Sequence, residues 1–119
     1  MITNIQCLAE DRNLAVVMPS GENSFYTDQI HPNNDFGEYI GRELVEVTRR
    51  MFPLSRKRED TFLAGLSMGG FGAVRNGLKY HDTFGYIAVL SGALQIFELP
   101  PDAPGYSLFH EDAVFGDLI

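Results

Sequence analysis

Three short, largely apolar runs alternate along the chain with segments of helical periodicity. The runs occupy residues 14–18, 61–65 and 86–90, and each ends at or beside a glycine, a proline or a serine. Continuous apolar runs of this length are typical of buried parallel strands, which are covered on both faces. Strands that alternate with helices predict an α/β domain in which helices flank a parallel sheet.

Three helices are predicted around these strands. The clearest covers residues 36–51, where apolar positions recur every three or four residues and charged residues occupy the opposite face. It is expected to end before Pro53. Shorter helices are predicted at residues 2–10 and 69–80. The residues expected to face inward on the last helix are Phe71, Val74 and Leu78.

The length of 119 residues suits a single domain, so residues 1–119 are expected to form one unit. A hydrophobic content of 45% and a charged content of 21% are typical of globular chains and exclude general disorder. Glycine, proline, asparagine and aspartate predict long loops at residues 19–35 and 99–105. The loop at 19–35 is long enough to suggest a functional role.

The net charge of −7 makes nucleic acid and anionic membranes improbable partners, because both would be repelled. The one cysteine, Cys7, excludes an internal disulfide and a cysteine-cluster metal site. No apolar run approaches the length of a membrane span, and the N-terminus lacks a signal-peptide pattern. We therefore expect a cytoplasmic protein.

The segment Gly65-Leu66-Ser67-Met68-Gly69 fits the G-x-S-x-G pattern at the point where an apolar strand gives way to a helix. In such a nucleophile elbow the serine adopts strained backbone angles on a tight turn. Glycines at positions 65 and 69 are expected to remove Cβ atoms that would otherwise collide. Ser67 Oγ would then stand at the N-terminus of the helix, where the Met68 N–H is placed to stabilise an oxyanion.

Five segments of the chain carry a resemblance to a known family. They are residues 15–21, 24–28, 52–54, 58–73 and 90–94. Together they resemble the putative-esterase family of α/β-hydrolases, and within it the tributyrin-esterase type. Relatives in that family include S-formylglutathione hydrolase (esterase D), feruloyl esterases and mycolyltransferases. The resemblance implies that the chain holds the central portion of an α/β-hydrolase fold.

The resemblance also implies roles for individual residues. Ser67 matches the family's nucleophile, and Met68 matches the residue whose backbone N–H contributes to the oxyanion hole. A segment near the mouth of the active site is matched by Ser24, Phe25 and Tyr26. Leu66 and Phe71 stand where the S-formylglutathione hydrolases carry histidines, which favours the simple carboxylesterase branch.

The chain departs from the family at both ends. The family's catalytic aspartate and histidine lie after later strands, and none of the histidines in this chain falls in that arrangement. These histidines are His31, His81 and His110. The triad aspartate and histidine are therefore expected to be absent. An early strand with its His-Gly loop is also unmatched, and it would pair between residues 14–18 and 61–65. We expect a fragment of a longer hydrolase that is inactive alone.

Three hypotheses follow for function. The first is a serine carboxylic-ester hydrolase of short-chain acyl esters that forms an acyl-enzyme on Ser67. The second is a thioesterase of the S-formylglutathione hydrolase type, which would use the same elbow chemistry. The third is a non-catalytic α/β remnant that acts as an interaction module, with a homo-oligomer as one form. Acyl transfer of the mycolyltransferase type would require secretion. We expect a small ester or thioester substrate, with no cofactor and no metal.

Overall fold

The structure is a computed structural model, and it describes residues 4–22, 24, 26, 28, 35–94 and 102. Helices and strands alternate along most of this part of the chain. In chain order they are α1 (Ile5–Asp11), α2 (residues 36–51), a 3₁₀ turn (Arg58–Asp60), β1 (Phe62–Leu66), α3 (Met68–Lys79) and β2 (Tyr86–Leu90).

The sheet consists of β1 and β2, which are parallel and are joined by α3. Phe62 pairs with Tyr86 at one end of the register and Leu66 with Leu90 at the other. Helix α3 packs on one face of the sheet, where Gly77 lies directly against Ile87. The prediction of an α/β fold with a parallel sheet and flanking helices is confirmed.

The strand predicted at residues 14–18 is wrong for this structure. These residues have no regular secondary structure, and Val17 and Met18 are 49% and 75% exposed. A strand needs a neighbour to complete its hydrogen-bond ladder, and no described strand pairs with this run. A cleft of about 940 Å³ is lined by residues of this segment, of α2 and of the start of β1. The unmatched strand of the family was expected in that place.

The amphipathic helix predicted at residues 36–51 is confirmed as α2. It begins as an α-helix (Phe36–Glu38), passes through a π-helical turn (Tyr39–Glu43) and continues as an α-helix (Leu44–Met51). It ends before Pro53, as the sequence predicts. The widened turn is where α2 meets α3: a Cβ at Gly41 would overlap the ring of Tyr80, which follows α3.

The two shorter helices are also present, with shifted bounds. Helix α1 begins at Ile5, and residues 1–3 lie outside the described part of the chain. Helix α3 buries Phe71, but Leu78 is 64% exposed, so the prediction that Leu78 faces inward is wrong. Glycines of α3 face the sheet instead, and the sheet does not cover the Leu78 side chain. The loop predicted at residues 99–105 lies outside the described residues except for Asp102.

Candidate active site

Ser67 occupies the turn between β1 and α3 with a backbone that few side chains adopt. Its φ is 54° and its ψ is −113°, and it directly precedes the first residue of α3. A positive φ outside glycine stores strain, which persists only where the surrounding structure enforces it. Ser67 is exposed to solvent. The turn therefore presents a serine side chain at the carboxyl end of a parallel strand.

Backbone hydrogen bonds fix Ser67 on three sides. Its N–H donates to the carbonyl oxygen of Leu90 at 3.0 Å, which extends the β1–β2 ladder by one residue. Its carbonyl oxygen accepts from the N–H of Phe71 and from the N–H of Ala93, both at 3.1 Å. The end of β2, the turn after it and the first turn of α3 thus each hold the serine through one of these bonds. Ser91, at the end of β2, also has a positive φ, of 45°.

The two glycines of the motif have different surroundings. A Cβ at Gly65 would overlap the backbone carbonyl of Gly69, so no side chain fits there without moving the backbone of α3. A Cβ at Gly69 would meet no atom within 4 Å. The expected steric reason for glycine therefore applies at Gly65 and does not apply at Gly69.

Met68 is the first residue of α3, a helix of 12 residues. The N–H groups in the first turn of a helix have no partner within the helix and point toward its N-terminus. The helix dipole adds a partial positive charge at the same place. This arrangement favours an anion beside Ser67, as an oxyanion hole requires.

Of the residues predicted at the mouth of the site, Ser24 and Tyr26 belong to a loop that packs on α3. Ser24 is buried; its hydroxyl donates to the Gly21 carbonyl at 2.5 Å and accepts from the Tyr26 N–H at 3.0 Å. The Tyr26 carbonyl accepts from Asn76 Nδ2 at 2.9 Å. The Tyr26 ring fills the space that a side chain at Gly72 would need. Phe25 lies outside the described residues.

His81 is the one histidine in the described part of the chain, and it lies beyond the C-terminal end of α3. Twelve helical residues span about 18 Å, so His81 is far from Ser67. Its side chain is 69% exposed, and Nδ1 lies 3.1 Å from the carboxylate of Asp82. Its carbonyl oxygen accepts a hydrogen bond from Arg58 Nε. His31 and His110 lie outside the described residues.

The described residues carry neither a metal-binding cluster of side chains nor a membrane-spanning helix. Among them no three histidine, cysteine, aspartate or glutamate side chains are grouped so as to hold a metal ion. None of the described helices is long and apolar enough to span a membrane.

Two features of the region formed by Ser67 and α3 were not predicted from the sequence. One is the turn after β2, whose Ala93 N–H holds the serine carbonyl; hydrogen bonds of this kind leave no periodic signal. The other is Asn76, which is 0% exposed in the middle of α3 and binds the loop. The one sequence signal for this contact was an asparagine inside a predicted helix, because an amide that becomes buried there requires hydrogen-bond partners.

The family model described as "Putative esterase" matches residues 4–112, which is most of the chain. The chain belongs to this esterase family. It is 50% identical to an acetyl esterase of Caldicellulosiruptor saccharolyticus, over 89% of this chain and 42% of that protein. The resemblance to the putative-esterase family is thereby confirmed.

Solved structures of similar proteins give the same assignment. The fluorophosphonate-binding serine hydrolase FphF of Staphylococcus aureus is 32% identical with a TM-score of 0.76, and the match covers 97% of this chain and 44% of FphF. The S-formylglutathione hydrolase FrmB of the same organism is 31% identical with a TM-score of 0.71, over 93% of this chain and 44% of FrmB. The esterase-family chain therefore spans less than half the length of these relatives.

Proposed function

We propose that this chain provides the nucleophile-bearing part of a serine hydrolase that cleaves short-chain acyl esters. One observation carries the proposal: Ser67 is held at a φ of 54° on the turn between β1 and α3, with its backbone hydrogen-bonded on three sides. Such strain at a solvent-exposed serine is a feature of nucleophile elbows.

In the proposed reaction, Ser67 Oγ attacks the carbonyl carbon of the ester while a histidine that this chain does not supply takes the hydroxyl proton. The carbonyl oxygen becomes an oxyanion that accepts a hydrogen bond from the Met68 N–H. When the tetrahedral intermediate collapses, the bond to the alcohol oxygen breaks and the histidine returns its proton to that oxygen. Water, activated by the same base, then releases the acid from Ser67.

The identities of the relatives bear on the substrate class. The relative at 50% identity is an acetyl esterase, which supports a short acyl group. The thioesterase alternative is supported by the likeness to FrmB, an S-formylglutathione hydrolase, at 31% identity. Leu66 and Phe71 favour the ester reading, because the resemblance places histidines there in S-formylglutathione hydrolases. The two substrates are distinguished by comparing rates on matched esters and thioesters.

The isolated chain is proposed to react at a rate near the uncatalysed background. Without a base to take its proton, the Ser67 hydroxyl stays protonated and is a weak nucleophile. A non-catalytic interaction module is the alternative, and it is favoured by the exposed apolar face of the sheet. That face is formed by Phe62, Leu66, Tyr86 and Leu90, which are 50–62% exposed.

The test supplies the missing part from a relative. In a chimera, this chain replaces the matched portion of the acetyl esterase, whose remaining segments contribute the base. We expect the chimera to hydrolyse p-nitrophenyl acetate and Ser67→Ala to lower kcat/KM by about a thousandfold or more. Ser91→Ala is the matched control, because Ser91 is also an exposed serine with a positive φ at the end of a neighbouring strand.

Two outcomes would contradict the proposal in different ways. A folded, active chimera that keeps its rate after Ser67→Ala would exclude Ser67 as the nucleophile. Turnover by the isolated chain that is lost in Ser67→Ala would instead show that this chain contains its own base. Intact-mass measurement after treatment with a fluorophosphonate probe distinguishes the two, because the probe adds its mass to the activated serine.

A further inference from the structure

The carboxylate of Asp28 joins a loop to two helices. Asp28 Oδ1 accepts from the backbone N–H of Glu38, in the first turn of α2, at 3.0 Å. Asp28 Oδ2 lies 3.2 Å from Lys79 Nζ and 3.4 Å from Arg75 Nη2, both on α3. The side chain is 28% exposed. One carboxylate therefore makes three contacts with elements that are far apart in sequence.

The contact with Arg75 is the most important of the three, because the Arg75 side chain is only 7% exposed. Nη1 donates to Asn76 Oδ1 at 2.9 Å, while Nε is buried without a hydrogen-bond partner. Gly37 leaves room for the guanidinium, since a Cβ there would overlap Nη1. A buried guanidinium needs an opposite charge, and the carboxylate that pairs with it is that of Asp28.

The same loop makes a second set of contacts with α3. The ring of Tyr26 lies against Gly72, and its carbonyl accepts from Asn76. Gly72, Asn76 and Lys79 are spaced by four and three residues, so they share one face of the helix. Tyr26 and Asp28 thus contact that face of α3 from Gly72 to Lys79, at its C-terminal end.

We propose that Asp28 is a positioning residue: it holds the described loop residues Ser24 and Tyr26 along α3, so that they form a fixed wall beside the candidate nucleophile. The proposal deepens the proposed function and rests on it, because the wall has a catalytic meaning only if Ser67 reacts. The connection to Ser67 is short. Tyr26 contacts Gly72, the neighbour of Phe71, whose N–H binds the Ser67 carbonyl.

The first arm of the test measures whether Asp28 holds the loop, on the full 119-residue chain. In Asp28→Asn, we expect amide hydrogen exchange of Tyr26 and Glu38 to accelerate about tenfold, while the amides of β1 stay as they are. Asp82→Asn is the control, because Asp82 is a 96% exposed carboxylate beyond α3. It is expected to change none of these rates.

A second, milder variant tests the same contact even where Asp28→Asn fails to fold. Lys79 is 47% exposed, so Lys79→Met removes one contact of Asp28 without disturbing the interior. It should accelerate the same two amides by a smaller factor and add nothing once Asp28→Asn is present. Unchanged exchange of Tyr26 and Glu38 in folded Asp28→Asn would overturn the proposal.

The second arm measures whether the loop bounds the substrate site. In the acetyl esterase chimera, Asp28→Asn should change the ratio of kcat/KM for a longer acyl ester to that for acetate by about threefold or more, an effect that lost stability alone would not produce. An unchanged ratio, with accelerated exchange, would overturn the positioning role. Activity that survives Ser67→Ala would instead contradict the proposed function and leave the exchange result standing.

Discussion

Two apolar runs of five residues have different fates in this molecule. Residues 86–90 form β2, whereas residues 14–18 form no strand. The difference lies in their neighbours. β2 has a parallel partner in β1 and a covering helix in α3, and these are the two elements that precede it in the chain. A strand is thus a property of the surrounding structure as much as of its own sequence.

The two faces of the sheet repeat this contrast on a smaller scale. On one face, Ile87 and Val89 approach the glycines of α3. On the other face, Tyr86 and Leu90 are 62% and 58% exposed, and the Tyr86 ring contacts only the neighbouring Phe62 ring among the aromatic pairs described. Parallel sheets are normally covered on both faces, so this side is suited to further packing.

The largest expected effect concerns the tight packing beneath Ser67. Gly65→Ala places a Cβ on the backbone carbonyl of Gly69, and we expect a loss of about 3 kcal/mol in the free energy of unfolding. Gly69→Ala is the matched control, because a Cβ there has open space and alanine favours a helix by about 1 kcal/mol over glycine. Urea unfolding monitored by circular dichroism measures both. Equal losses would show that the two positions are equally crowded.

A medium effect distinguishes the two faces of β2. Ile87→Ala removes a side chain that packs on Gly77 of α3 and is partly exposed, so we expect a cost of about 1–2 kcal/mol. Leu90→Ala, on the open face, should cost less than about 0.5 kcal/mol. Denaturant midpoints at several protein concentrations report both. A comparable cost for Leu90→Ala that grows with concentration would reveal a second copy covering that face.

The smallest expected effect is the pH dependence of the loop contact. Burial alone would raise the pKa of Asp28, but the Glu38 N–H, the Lys79 hydrogen bond and the charges of Arg75 and Lys79 together lower it. A carboxyl whose pKa is lower in the folded state contributes stability above its unfolded pKa, and that stability is lost as the pH falls through its folded pKa. Glu38 and Asp35 are the other acidic residues near it.

The measurement compares unfolding of the unsubstituted chain and of Asp28→Asn from neutral pH down to about pH 3. The advantage of the unsubstituted chain should shrink toward the acid end. A constant difference across the range would mean that the loop contact does not depend on the Asp28 charge. Exchange of Tyr26 at each pH then localises the change to the loop.

Sequence patterns predicted the elements that depend on local periodicity. The apolar spacing of residues 36–51 predicted α2, because an amphipathic helix records its buried face in its own sequence. The π-helical turn at Tyr39–Glu43 was not predicted. It coincides with the approach of Gly41 to Tyr80, a contact between residues 39 positions apart, and no local pattern encodes it.

In the candidate site, too, some features were predicted from the sequence and others were not. The motif around Ser67 indicated an elbow, since glycines and a serine between a strand and a helix can be read from the sequence. The expected steric need for glycine at position 69 was wrong, because of the motif's two glycines only Gly65 is crowded. The role of Asp28 could not be predicted from the sequence, because its partners lie in two helices that come together only in the folded chain.

The sequence by itself determined the family, the alternation of strands and helices, and the position of the candidate nucleophile, because each is encoded by residues close together in the chain. The tertiary structure decided which apolar run became a strand, which glycine is required and which carboxylate holds the loop. These depend on backbone partners, on collisions and on charges brought together from distant residues. Such interactions follow no periodic pattern and no fixed spacing in the sequence, so they are seen only in the folded chain.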